Sequence, residues 1–189
     1  MDGSTFRDLS DDIRSAFEDR PVKVVVLNDK SDLQVRFDLF ERLNTGGVRL
    51  TDQEIRECVY RGPFIDLLVE LAKYPPFGTV VRLPERMWKD GTPQEFALRF
   101  FAFLENRQAF DHSVVGFLNG FTLGSSEDPD VERRSNEFFR TFDFLAACLP
   151  GGLKSRKGQT PVNLFEAVAV GAALALRERE IDPKNVDMS

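Results

Sequence analysis

Very few residues of this chain can carry the commoner enzymatic chemistries. One histidine and two cysteines stand among 189 residues. They do not cluster at metal-ligand spacing, and the chain has neither a phosphate-binding GxxxxGK loop nor a GxGxxG dinucleotide fingerprint. Catalytic and metal-ligating residues are therefore expected to be none. The lone His112 follows Asp111 at a helix start, where a histidine without placed partners caps or faces water. Basic charge is scarce too: 25 Lys and Arg against 31 Asp and Glu leave a net charge of −6. That balance excludes non-specific nucleic-acid binding over the whole surface and leaves room only for a local basic patch. Cys58 and Cys148 fall inside apolar helical patterns and read as buried thiols of a reducing compartment. With no secretory-signal pattern at the opening, the expected location is the cytoplasm. A long hydrophobic run is also missing. The nearest, Pro161–Leu176, is shorter than the roughly 20 residues that span a bilayer and contains Glu166. A helix apolar nearly all round is expected at the buried centre of a bundle, so no membrane partner is expected.

What the chain has in quantity is phenylalanine, 18 residues in a sequence that is 42% hydrophobic. That is enough for one aromatic core, and the length suits one domain or one plus an appendage. The expected fold is mainly α, a helical bundle with a small β element of one or two strands near the N-terminus. Its expected parts are residues 1–30 (a short helix plus a strand), a helical domain over 31–180, and a flexible tail over 181–189. Ser10 is placed to cap the first helix, with Asp11 and Asp12 favouring its positive end. The β-branched run Pro21–Leu27 is the strand. A single strand must pair, with Gly78–Leu83 or with another chain, and its edge could support a homo-oligomer.

Beyond Asp29 the pattern is helical. A helix from about Asp32 to Leu43 carries two apolar stripes, with Arg36 between them needing a partner. Thr51 and Glu54 form a capping box for the next helix, and Leu50 and Ile55 stand where a hydrophobic staple belongs. Gly62 ends that helix and Pro63 starts the following one. There Phe64, Leu67, Leu68, Leu71 and Ala72 share a face. "YPPFG" reads as a loop. Thr92 and Glu95 suggest a second capping box before a central, phenylalanine-rich helix. A short helix begins near His112, an acidic loop "SSEDPD" follows, and Val131, Ser135, Phe138, Phe142, Leu145 and Leu149 stripe a long helix. Pro150–Thr160 reads as a flexible basic loop ahead of a last helix capped at Thr160-Pro161.

The stretch "FERLNTGGVRLT" is the candidate site. Gly46 and Gly47 permit close approach of a ligand to the backbone, and their amides can form a small anion nest. Arg42, Arg49 and Arg56 flank them, with Asn44 and Thr45 in the turn. The same glycines also suit a plain helix–loop–helix corner.

The run "FDLFERLNTGGVRLTDQEIRECVYRGPFIDLLVELA" resembles the C-terminal motif of the GmrSD restriction-endonuclease N-terminal family, the ParB/sulfiredoxin-like domain of bacterial defence systems. Phe40, Arg42, Leu43, Asn44, Gly47, Leu50, Thr51, Glu54, Ile55 and Arg56 match that motif in order. "EFALRFFAFL" and "TPVNLFEAVAVGAAL" resemble the family's helical portion, so the likeness covers about Phe6 to Leu176. The family's upstream "DGQQR"-type motif, associated with nucleotide binding and hydrolysis, is missing here. The resemblance implies that residues 1–30 are a remnant of a ParB-like half. It implies a phage-defence (restriction-type) function in which the helical portion supports a nucleotide- or DNA-sensing domain. Arg42, Asn44, Thr45, Gly46, Gly47 and Arg56 would face the ligand. No cofactor is expected in this chain, and a nucleoside triphosphate is implied for the intact protein, acting as an NTPase or nuclease. The implied partners are the missing ParB-like half and DNA. A non-catalytic protein–protein interaction module is the alternative.

Overall fold

The computed structural model describes residues 5–21, 33–43, 49–156 and 158–179. The expected strand Pro21–Leu27 lies, apart from Pro21, outside them, as does the expected tail 181–189. The chain divides into two compact units, Met1–Ser31 and Asp32–Ser189.

In the first unit a 3-10 turn, Phe6–Asp8, precedes α1, Asp11–Glu18. Asp8 folds back on Thr5, accepting from its amide at 2.7 Å and its hydroxyl at 2.8 Å. Ser10 is the N-cap of α1, as its position suggested, but its side chain makes no capping hydrogen bond. Neither element buries a residue. Phe6 and Phe17 meet at 5.4 Å between ring centroids, yet they stay 41% and 62% exposed.

The second unit is mainly helical. In chain order it holds α2 (Leu33–Leu43), α3 (Asp52–Val59), α4 (Pro63–Leu71), α5 (Pro75–Val80), α6 (Thr92–Asn106), α7 (Val114–Glu127), α8 (Val131–Cys148) and α9 (Val162–Glu178). Helix α6 is central and packs against α3, α4, α7 and α9. Phenylalanines fill the space around it. Phe77, Phe100, Phe101, Phe138, Phe142 and Phe165 are fully buried, with Phe138 and Phe142 only 4.3 Å apart. Rings at such tilted and edge-on separations add attraction beyond their buried area.

Several expectations need correction. No strand ladder forms among the described residues, whose only β feature is an isolated parallel bridge between Val81 and Leu153. Of Gly78–Leu83, offered as a strand partner, Gly78–Val80 closes α5 and Val81 makes the isolated bridge. "YPPFG" is likewise not a loop but the start of α5. Pro75 and Pro76 fill the first turn, where a missing N–H costs no hydrogen bond. The stretch Pro150–Thr160 is pinned rather than loose. Leu153 N donates to Val80 O (2.7 Å) and Thr160 N to Arg82 O (2.8 Å), and Arg82 N donates to Thr160 Oγ1 (2.7 Å). Gly152 makes this approach possible: at φ 72° a Cβ there would lie 2.7 Å from Thr79 O. Helix α9 is not the buried centre. It buries Phe165, Ala169, Ala173 and Leu176 and leaves Val162 and Leu164 exposed. Cys58 is exposed and Cys148 half-buried. Among the described residues no helix is long and apolar enough to cross a membrane.

Candidate functional site

The corner between α2 and α3 is held from its downstream side. Thr51 caps α3, accepting from Glu54 N at 3.2 Å while its own amide donates to Glu54 Oε2 at 2.7 Å. The Thr51 hydroxyl also donates to Asp90 O (2.8 Å), tying the cap to the segment before α6. Upstream, Phe37 of α2 is 2% exposed. The two helices pack on one another.

Arg56 is part of this frame. It is 1% exposed. Nε donates to Asn119 Oδ1 of α7 at 2.8 Å. Nη1 donates to Gln53 Oε1 and to Glu95 Oε2 of α6, both at 3.2 Å. Burial pushes the guanidinium below its ordinary pKa, and the Glu95 carboxylate opposes that shift. Glu95 also accepts from Arg99 Nε at 2.9 Å, and Arg99 reaches Glu166 of α9 at 2.7 Å. A chain of alternating charges therefore runs Arg56–Glu95–Arg99–Glu166 across α3, α6 and α9. A buried charge with such complete partners is tolerated where an unpaired one would not be.

Each expected site residue can now be placed. Arg42 is exposed in the last turn of α2, and Arg49, ahead of α3, is exposed too. Arg56 points inward, its described hydrogen bonds all within the bundle. Asn44, Thr45, Gly46 and Gly47 lie outside the described residues. The second capping box does not form. Gly91 is the N-cap of α6, Thr92 donates through its hydroxyl to Asp90 Oδ1 (2.6 Å), and Glu95 is engaged by the two arginines.

Sequence reasoning missed the partners of Arg56, because Asn119 and Glu95 lie 63 and 39 residues away. It also missed Arg134 on α8, which is 5% exposed, while Val131, expected on the apolar stripe, is 41% exposed. Its Nη2 donates to Glu105 Oε2 at 2.8 Å, Nη1 donates to Pro129 O at 2.7 Å, and its guanidinium stands 4.9 Å above the Phe64 ring. Glu105 is half-buried in this pair. His112 is exposed at φ 55°, and Ser113, not His112, caps α7. Among the described residues no group of three His, Cys, Asp or Glu could hold a metal ion. No protein-family model, curated protein or solved structure matches the chain.

Proposed function

We propose that this chain is the helical, non-catalytic portion of a GmrSD-like phage-defence protein, working in the cytoplasm beside a ParB-like half that carries the nucleotide chemistry. In this reading the α2–α3 corner presents Arg42 and the Asn44–Gly47 turn to a nucleotide or to DNA. The observation that carries it is the division of labour at the corner. The capping box, the Thr51–Asp90 tie and the buried Arg56 fix the downstream helix, while Arg42 on α2 and Arg49 ahead of α3 stay exposed. A rigid frame with a cationic rim suits an anionic ligand. Arg56 then serves the frame, and the ligand-facing set narrows to Arg42, Asn44, Thr45, Gly46 and Gly47.

The test is phosphate release from ATP and GTP by the purified chain. It is expected at the level of a no-protein control, since the hydrolytic motif is missing. Release above that level, abolished by Arg42→Ala, overturns the reading. A non-catalytic interaction module is the second reading, and the exposed Phe6, Ile13 and Phe17 of the first unit favour it.

A further inference from the structure

The loop between α8 and α9 carries charge of one sign only. Between Asp143 and Glu166 the sequence has no acidic residue, and between Glu70 and Glu85 it has none either. These two stretches meet at the Val81–Leu153 bridge, in a chain where acids outnumber bases by 31 to 25. Their meeting brings together Arg82, Lys154 and Arg156, all three exposed. None of the three side chains has an ion pair or hydrogen bond with another described residue. Arg99, Arg133, Arg134 and Arg177 of the same unit are each paired with a carboxylate.

The backbone beneath these cations is fixed. The Thr160 hydroxyl accepts from Arg82 N at 2.7 Å and donates to Leu153 O, closing the loop at its base. Across the tip, Ser155 N donates to Gln159 O at 2.8 Å and Gly158 N to Ser155 O at 2.9 Å. Two glycines then let the cations come close to the chain. A Cβ on Gly152 would stand 2.8 Å from Arg82 Nε, and one on Gly151 would stand 3.9 Å from Lys154 Nζ. Arg82 and Lys154 therefore gather over the same glycine pair. Like charges held together without a carboxylate between them attract an anion.

We propose that Arg82, Lys154 and Arg156 form a phosphate-binding surface that takes the backbone of a nucleic acid. The chemistry around the cations selects this occupant. The described residues of the loop expose no large hydrophobic side chain, so a protein partner would find no apolar anchor there. Three cations are also fewer than the clusters of about four to eight that hold an anionic membrane. A phosphodiester backbone needs only placed cations, and its contacts position a strand without reading its sequence. The surface is separate from the α2–α3 corner, and the inference does not rest on the proposed function.

The test is fluorescence anisotropy of the full chain with a labelled DNA duplex and its single strand, over about 50 to 200 mM salt. Three phosphate contacts are expected to give a log–log salt slope of about −2.7 on the duplex and about −2 on the single strand. Binding of either form supports the proposal, and the slope tells which is held. Arg82→Gln, Lys154→Gln and Arg156→Gln should each reduce the slope by about one and weaken all sequences alike. The triple variant should lose binding, while Lys154→Gln and Arg156→Gln keep the parent melting temperature. Arg42→Ala is measured beside them. Loss in the triple variant supports the proposal whether or not Arg42→Ala also weakens binding. Loss in Arg42→Ala with an unchanged triple variant overturns it and leaves the corner reading standing. It is overturned equally if neither DNA binds, if a polyglutamate peptide binds as tightly as DNA, or if the loop variants lower the melting temperature and leave binding unchanged, the mark of a purely structural role.

Discussion

Arg42 and Arg56 stand on successive helices, α2 and α3, and the protein uses them in opposite ways. Arg42 ends α2, exposed and in no ion pair or hydrogen bond with another described residue. Arg56, on α3, is enclosed, with Asn119, Gln53 and Glu95 around its guanidinium. Both are arginines flanking the same glycines, and by residue type alone they look equivalent. The difference is what each neighbourhood supplies: a free guanidinium at the surface keeps its hydrogen bonds for a ligand, whereas a buried one must satisfy them internally.

Removing Arg56 should break this comparison most severely. Arg56→Ala takes a donor from Asn119 and Gln53, leaves Glu95 held by Arg99 alone, and opens space at a 1% exposed position. We expect a loss of about 3–5 kcal/mol in urea unfolding, the cost of breaking a buried pair from one side. A loss no greater than that of a surface substitution would place Arg56 outside the frame. Next in size is Thr51→Ala, expected to cost about 1 kcal/mol through the lost N-cap. Its readout is the melting temperature.

The same helix offers a pH test. Burial raises the Glu57 carboxyl above its ordinary value near 4.5, the charge of Glu54 adds to this, and the hydrogen bond from Gln53 opposes it. A group whose native pKa is raised contributes most below its unfolded value, and that contribution is lost as pH rises through the native one. Glu57→Gln should therefore raise the melting temperature at neutral pH and change it little in acid. An equal effect at both pH values would contradict the assignment. The smallest effect is expected at Arg42, where Arg42→Ala should leave unfolding within about 0.5 kcal/mol of the parent. Calorimetry showing a larger loss would make Arg42 a structural residue as well.

How much of this was legible in the sequence follows from the range of the interactions. The Thr51/Glu54 box and the start of α4 at Pro63 were legible because capping acts within three or four residues, whereas Gly62, expected to end α3, is the N-cap of α4 and α3 closes at Tyr60. The apolar face of α4 was legible from helical period, and Phe64, Leu67, Leu68 and Leu71 are all buried. Thr92/Glu95 had the same local pattern and failed, because Asp90 took the threonine while Arg56 and Arg99 took the glutamate. Local spacing cannot report a competitor from another helix. The stripe on α8 failed at its start for a related reason: Val131 is exposed, and Arg134 is buried because Glu105 and the adjacent carbonyls of Asp128 and Pro129 receive it. Double proline hid α5, since the residues that break a helix interior are those that can begin one. At the candidate site Arg42 is exposed and Arg56 is buried, a difference that residue type and spacing do not carry.

The central claim is that Arg56 holds the corner from inside the bundle. A double-mutant cycle on Arg56→Ala and Asn119→Ala tests it most directly, because these residues are 63 positions apart in sequence and are joined by the 2.8 Å hydrogen bond from Nε to Oδ1. Unfolding of the parent, both single variants and the double variant should give a coupling of about 1–3 kcal/mol. Effects that add to within about 0.3–0.5 kcal/mol would mean the two side chains do not act together, and the frame described here would lose its central strut.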